Sequence, residues 1–285
     1  MATVAELLLH SKNLQSVSDS ASLDVELLLC FCLEKRRSYL RAWPEAEVAS
    51  EHERHFLTLL ERRIVGEPIA YITGERGFWS LDLQVNASTL IPRPETELLV
   101  EKTLELMADA ASADILDLGT GSGAIALALA SEKSSWRIVA SDFQPNAVAL
   151  AESNKAKYSL NNVTVLESDW FDAIGNQCFD VIVSNPPYID PQDNHLESGD
   201  VSFEPRSALV AENHGLADLE HIAGCAGAYL KDRGWLLLEH GYNQSDAVQA
   251  LLLRAGFTKI FTELDLSGWG RLTGGQFIAG VDNDE

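Results

Sequence analysis

Apolar residues recur at three- and four-residue spacing through the first quarter of the chain: Val4, Leu7, Leu8 and Leu14, then Leu23, Leu27, Leu28 and Phe31, then Phe56, Leu59, Leu60 and Ile64. That period belongs to helices with one buried face, so residues 1–74 read as a small helical bundle. Ser20 or Ser22 is placed to cap the second helix, and Pro44 and Gly66-Glu67-Pro68 punctuate the series. From Arg76 to Val85 the pattern changes to alternation, with Phe78, Leu81, Leu83 and Val85 around Ser80 and Asp82. Alternation predicts a short hairpin, and residues 75–92 are read as the linker between two domains. Pro94, with Glu95 and Glu97 behind it, suits the first turn of a helix running to about Ala110.

Beyond that point the two periods take turns. Strands are expected at 115–118, 137–141, 163–167, 179–184 and 235–239, and helices at 124–132, 145–158, 217–229 and 245–255. Such alternation is the mark of an α/β fold with a doubly wound sheet, here over 93–285. A closing pair of strands is expected near 258–263 and 276–281, with Gly274-Gly275 in the turn ahead of the last one, and the acidic tail 282–285 is expected to fray.

Composition narrows the class. The 285 residues are 46% hydrophobic, but the apolar runs, such as 125–130, fall far short of the roughly 20 residues a membrane-spanning helix needs. The first six residues carry no basic stretch leading into an apolar core, so a cytoplasmic location is expected. Cys30, Cys32, Cys178 and Cys225 form no C-x-x-C pair and read as reduced structural thiols. His52 and His55 share a helix face without a third ligand, so no metal is expected there. A formal charge of −22, from 21 Lys+Arg against 43 Asp+Glu, works against sequence-independent binding to phosphates. The expected partner is therefore a protein rather than nucleic acid or membrane, met by a monomer.

Two stretches carry candidate chemistry. The run Ile115-Leu116-Asp117-Leu118-Gly119-Thr120-Gly121-Ser122-Gly123-Ala124 is a strand ending in a glycine turn that opens a helix, where a ligand can approach the backbone. Gly119, Gly121 and Ala124 also satisfy a dinucleotide fingerprint, and Asp142, ending the next strand, could take ribose hydroxyls under either reading. The segments after the later strands discriminate between the two. Ser168-Asp169-Trp170 offers a stacking ring and an acceptor where an adenine would lie. Val181-Ile182-Val183-Ser184-Asn185-Pro186-Pro187-Tyr188-Ile189 is a buried strand feeding a stiff loop whose free groups are acceptors, the Asn185 side-chain oxygen and the Pro186 carbonyl. Paired acceptors suit an incoming NH2 group, over which Tyr188 could stack, and hydride transfer has no use for them.

On these motifs, together with Phe78-Trp79-Ser80-Leu81, Ile91-Pro92-Arg93-Pro94-Glu95-Thr96-Glu97, Phe203-Glu204-Pro205 and Leu238-Glu239-His240-Gly241, nearly the whole chain resembles the S-adenosylmethionine-dependent release-factor glutamine N5-methyltransferases, the PrmC or HemK family. The resemblance implies a Rossmann-like class I methyltransferase domain behind the helical bundle, and the bundle is the candidate for substrate docking because a single amide offers too little recognition to select one protein. It implies cofactor contacts at Gly119, Thr120, Gly121, Ser122, Gly123, Asp142, Trp170 and Asn185, with S-adenosylhomocysteine as product. It further implies a substrate-amide site at Asn185, Pro186, Pro187 and Tyr188, with Asn185, Pro186 and Tyr188 as the catalytic set, and the glutamine of the Gly-Gly-Gln motif of class I peptide chain release factors as target. Pro94 and Glu95 look like that enzyme rather than its relative acting on a ribosomal protein. Nucleic-acid adenine N6-methyltransferases share the Asn-Pro-Pro-Tyr loop but usually carry basic surfaces. The run 267–275 matches less clearly, and no role is carried to it.

Overall fold

In the computed structural model, which describes residues 1–280, the chain divides into two units. One is Met1–Glu75 with a later excursion, Asn194–Phe203; the other is Arg76–Asp193 with the chain from Glu204 on. Residue 281 and the acidic tail 282–285 lie outside the described residues.

The first unit is helical: α1 (Val4–Leu8), a 3-10 turn (Leu9–Leu14), α2 (Ala21–Leu33), α3 (Arg37–Ala42), α4 (Ser50–Ile64) and α5 (Ile69–Thr73). A capping box opens α1, the Thr3 hydroxyl accepting the Glu6 N–H while the Glu6 carboxylate accepts the Thr3 N–H. Ser20 does hold the cap position of α2, but its hydroxyl donates to Asp24 instead of accepting from the helix backbone. The core gathers Val4, Leu7, Leu28, Phe56, Leu59 and Leu60 as expected. Leu23 and Phe31 are 37% and 40% exposed, while Val25 and Leu29 are buried in their place. Apolar residues ring α2 almost completely, so its period could not choose a face. Arg63 of α4 is buried, with its Nε 2.8 Å from Asp24. Its Nη1 donates to the Gly66 and Glu67 carbonyls and to Asp200 of the excursion.

The second unit opens with a two-stranded hairpin, β1 (Glu75–Phe78) and β2 (Leu81–Gln84), and a 3-10 turn, Pro94–Thr96, that leads into α6 (Glu97–Leu106). There follow β3 (Asp114–Leu118), α7 (Ala124–Glu132), β4 (Arg137–Asp142), α8 (Pro145–Tyr158), β5 (Val163–Glu167), β6 (Phe179–Ser184), α9 (Glu212–Gly215), α10 (Ala217–Ala226), β7 (Leu230–Glu239), α11 (Ser245–Arg254), β8 (Thr258–Leu264) and β9 (Gly270–Gln276). The sheet order is β5-β4-β3-β6-β7-β9-β8, with only β9 antiparallel to its neighbours. Apolar cores cover both faces, one around α7 and Trp136, the other around α10, α11 and Phe257. The strand order turns back at β3, whose neighbours are β4 and β6, and ligands bind α/β sheets at the carboxyl ends of the strands at such a point.

The last strand is a correction. It runs over Gly270–Gln276, not 276–281, so Gly274 and Gly275 lie inside the ladder and not in a turn. The reason lies in tight packing across the sheet. A Cβ on Gly274 would stand 2.6 Å from Leu237 and from Phe261, and one on Gly275 would stand 2.9 Å from Phe257. The reversal comes earlier, where Asp265 accepts the backbone N–H groups of Ser267 and Trp269.

Candidate active site

At the carboxyl end of β3 the chain makes the glycine turn with Gly119, Gly121 and Gly123 all in the left-handed region, at φ 69°, 57° and 86°. A side chain at these positions would be strained, which is the physical reason for three glycines. The turn is tied down from beneath. The Thr120 N–H donates to the Ser141 carbonyl, and the Thr120 hydroxyl donates to Asp117 at 2.6 Å. Asp117 is wholly buried and also accepts the Ala126 N–H; burial pushes its carboxyl up to about 7 against the pull of those two bonds. Asp142, ending β4, spends one oxygen on the Gly121 N–H and the other on the Gln144 N–H, both at 2.9 Å. Burial raises its carboxyl as well.

Trp170 sits beyond β5 with φ 43°, held by the Ser168 hydroxyl, which donates to the Trp170 carbonyl and accepts the Ala173 N–H. Its ring comes within 3.6 Å of where a Gly119 Cβ would be, so the ring and the bare turn close on one another.

The opposite wall is the loop after β6. The Ser184 hydroxyl donates to the Leu118 carbonyl at 2.8 Å, which fixes the ends of β3 and β6 side by side. Next comes Asn185. Its Nδ2 donates to the Thr96 hydroxyl at 3.1 Å, while its Oδ1 is buried and has no partner. Buried polar atoms are rarely left so, and an unmatched acceptor has a cost of about 1–3 kcal/mol unless a ligand meets it. Further along, the Tyr188 N–H donates to the Leu209 carbonyl, and the Tyr188 carbonyl accepts Nε2 of Gln244. The Tyr188 hydroxyl donates to Glu239 at 3.3 Å. Glu239, at the end of β7, is buried and pushed up to about 7 by that burial, against the pull of the Thr96 and Tyr188 hydroxyls and Arg271.

Between the two walls lies a cavity of about 260 Å³. Of the sequence candidates it is lined by Gly119, Thr120, Gly121, Ser122, Asp142, Trp170, Asn185 and Pro187. Gly123, Pro186 and Tyr188 are not among its lining: Gly123 caps α7, Pro186 is buried, and Tyr188, half-buried, packs against the apolar core with its hydroxyl on Glu239. The cavity also takes Thr96, Phe143 and Asp218, which sequence reasoning missed. Phe143 follows the carboxylate that ends β4 and is 60% exposed, a signal available in an aromatic placed where a loop residue would be polar. Thr96 was in view only within the 91–97 motif that opens a helix, with no role of its own. Among the described residues no three His, Cys, Asp or Glu side chains gather in a way that could hold a metal ion, and no helix is long and apolar enough to cross a membrane.

Comparison with known proteins gives concordant results. Residues 94–203 match the family model described as methyltransferase small domain, and residues 6–74 match the PrmC N-terminal domain. A release factor glutamine methyltransferase of Pseudomonas aeruginosa is 52% identical over 277 residues, covering 97% of this chain and 99% of that one. One from Shewanella oneidensis is 50% identical over 265 residues, covering 93% and 92%. A methyltransferase structure from Pyrococcus furiosus superposes with a TM-score of 0.54 at 16% identity, covering 76% of this chain and 97% of that one, which is a likeness of fold.

Proposed function

The chain belongs to the release factor glutamine methyltransferases, and from that premise we propose that it methylates the side-chain amide nitrogen of the glutamine in the Gly-Gly-Gln motif of class I peptide chain release factors. The observation that carries the reading to particular atoms is the buried, unmatched Oδ1 of Asn185, a residue that lines the cavity together with the glycine turn. A carboxamide nitrogen is a weak nucleophile because its lone pair is delocalised into the carbonyl. What the chain supplies against that is position: Asn185 Oδ1 and the Pro186 carbonyl accept the two amide hydrogens and aim the nitrogen. Well-oriented reactants can gain about 7–11 kcal/mol at the upper end. Pro186 and Pro187 hold that geometry by sterics. Tyr188, with its hydroxyl on Glu239, supports the loop from behind.

The residues fit S-adenosylmethionine. Gly119 and Gly121 present bare backbone, Asp142 stands where ribose hydroxyls would be bound, and Trp170 and Phe143 flank the cavity with rings for an adenine. When bound, the cofactor supplies a methyl group on a sulfonium; the carbon–sulfur bond breaks as the carbon–nitrogen bond forms, and the amide proton passes to solvent. No base in this chain needs to take that proton before transfer.

We read the enzyme as a cytoplasmic monomer whose partner is a protein, and the net charge of −22 supports a protein partner over nucleic acid. A single amide offers too little surface to select one protein, so the helical unit is read as the docking surface for the rest of the substrate. Incubation with methyl-labelled S-adenosylmethionine and a class I release factor tests the whole reading. One methyl group on the Gly-Gly-Gln glutamine, located by mass spectrometry, is expected. Label on a ribosomal protein or on adenine in nucleic acid, with none on the release factor, would replace it.

A further inference from the structure

The Asn185 carboxamide has two ends of nearly equal size, one that only accepts and one that only donates. Which end faces the cavity decides whether an incoming NH2 group is bound or repelled. The Asn185 Nδ2 donates to Thr96, and that choice depends on what stands behind Thr96. A hydroxyl has one proton, so a threonine that gives its proton elsewhere can only accept from Asn185.

Behind Thr96 is Glu239. Its Oε1 accepts the Tyr188 hydroxyl, its Oε2 is buried without a direct hydrogen bond, and the Thr96 hydroxyl faces the carboxylate closely enough to favour its charged form. An ionised carboxylate can only accept. Where the Thr96 proton turns toward that carboxylate, Thr96 is left to accept from Asn185 Nδ2, and Oδ1 is the end of the amide that stays open. We propose that Glu239, acting through Thr96, is the positioning residue that turns the Asn185 amide oxygen toward the transfer site, and that protonating Glu239 releases the amide to turn over. The inference rests on the amide-transfer reading above.

The neutral acid reverses the chain of donors. Its O–H can donate to Thr96, the Thr96 proton is then free to point at Asn185, and the carboxamide gains by turning its oxygen away from the cavity. The groups facing Glu239 are the Tyr188 hydroxyl from the loop after β6, Thr96 and Glu95 from the turn before α6, and Arg271 from β9, and His240 follows it in the chain just past the end of β7. Burial outweighs the hydroxyls and Arg271, so the carboxyl titrates at about 7. Burial also raises the Tyr188 phenol, which stays protonated, and lowers His240, which is held between the Gly241 carbonyl and Thr273. Glu239 is the group of this set placed to change charge near neutral pH.

Two measurements separate this from the reaction itself. In 15N-labelled enzyme the side-chain NH2 signal of Asn185 should titrate with a midpoint near 7 in the wild type and stay flat in Glu239→Gln, with circular dichroism confirming that the variant folds. In methyl transfer, Thr96→Val should lower kcat about 10- to 100-fold with S-adenosylmethionine affinity by calorimetry unchanged, and Thr96→Ser should restore most of it. Wild-type kcat should fall about tenfold per pH unit below the midpoint. An Asn185 signal that does not move between about pH 5 and 9, or a Thr96→Val enzyme with wild-type kcat, would overturn the proposal. An Asn185 signal that titrates in a protein that transfers no methyl group would support the positioning chain and remove the amide-transfer reading.

Discussion

The two walls of the cavity solve opposite problems. On the glycine-turn side Asp142 and Thr120, which line the cavity, are already engaged: Asp142 spends both oxygens on backbone N–H groups, and Thr120 bonds both to Asp117 and to Ser141, while the one unmatched oxygen of Asp117 lies outside the lining. That wall is set before any ligand arrives, so its binding surface costs little to order. On the Asn185 side one strong acceptor is held buried and unmatched. A wall that only binds can satisfy its own polar groups, whereas a wall that must direct a reacting nitrogen has to leave one open, at a cost borne by the rest of the fold.

If this division is right, the largest effect belongs to the open acceptor. Asn185→Ala should lower kcat by about 10²- to 10³-fold, the scale of losing one preorganised hydrogen-bonding group aimed at the reacting atoms. S-adenosylmethionine affinity, measured by calorimetry, should change far less. Near-wild-type turnover would remove Asn185 from the reaction. Equal losses in turnover and cofactor affinity would erase the distinction between the walls.

The converse test is Trp170→Ala on the engaged wall. The ring closes against the bare turn at Gly119, so its loss should weaken cofactor binding about tenfold, in the range of a lost stacking contact, with kcat at saturating cofactor little altered. A kcat defect that persists at saturation would show that this wall also sets the reaction geometry.

How much of this was readable beforehand depends on the reach of each contact. The strand 179–184 and its abrupt end at Asn185 are local facts of an apolar run meeting Pro-Pro, and the structure has them at the same residues. The glycine turn is local too, because positive φ leaves a compositional mark. The support behind Asn185 is not local. Asn185 and Thr96 are 89 positions apart, and Tyr188 and Glu239 are 51 apart, so nothing in the spacing of either pair announces it. Tyr188 shows how much a side chain's surroundings add to its reading: the half-buried ring expected to stack over the substrate packs against the apolar core, with its hydroxyl on Glu239. Gly274 and Gly275 carry the same lesson, since a glycine pair reads as a turn until Leu237, Phe261 and Phe257 are seen pressing on it.

A smaller effect sharpens the comparison through stability. Asp117 staples the engaged wall, and its folded-state carboxyl lies near 7 against an ordinary value of 3.8. The folded state therefore holds the proton more tightly than the unfolded chain does. This group's contribution to stability is greatest below about pH 4, declines as pH rises toward 7, and is level above that. Asp117→Asn removes the titration, so the difference in urea midpoint between wild type and variant should shift in the variant's favour between pH 4.5 and 7.5, on the order of 1 kcal/mol or more. A difference that does not vary with pH would mean that Asp117 is ionised in the fold throughout, and that the turn is held by a charge.

The smallest effect expected is none. Gly274-Gly275-Gln276 reproduces within this chain the signature whose glutamine the family modifies in its substrates, so modification of the enzyme by itself is a fair challenge to the assignment of the open wall. The substrate signature requires a glutamine free to reach into a narrow site on a thin backbone. Here Gln276 ends β9, paired to Trp235 on one side and Thr258 on the other, and its Nε2 donates to the Arg233 carbonyl. Trp235 lies in the middle of β7, whereas Glu239, which supports the Asn185 loop, ends that strand. Gln276 therefore lies four residues down the ladder from the strand end that carries Glu239. Its side chain is 7% exposed, and reaching a methyl donor would require β9 to leave both partners, with Gly274 withdrawing from between Leu237 and Phe261. Prolonged incubation with S-adenosylmethionine alone should leave the intact mass unchanged. A stoichiometric adduct of one methyl group on Gln276 would mean that β9 leaves the sheet in solution, and that recognition of the signature needs no second contact area at all.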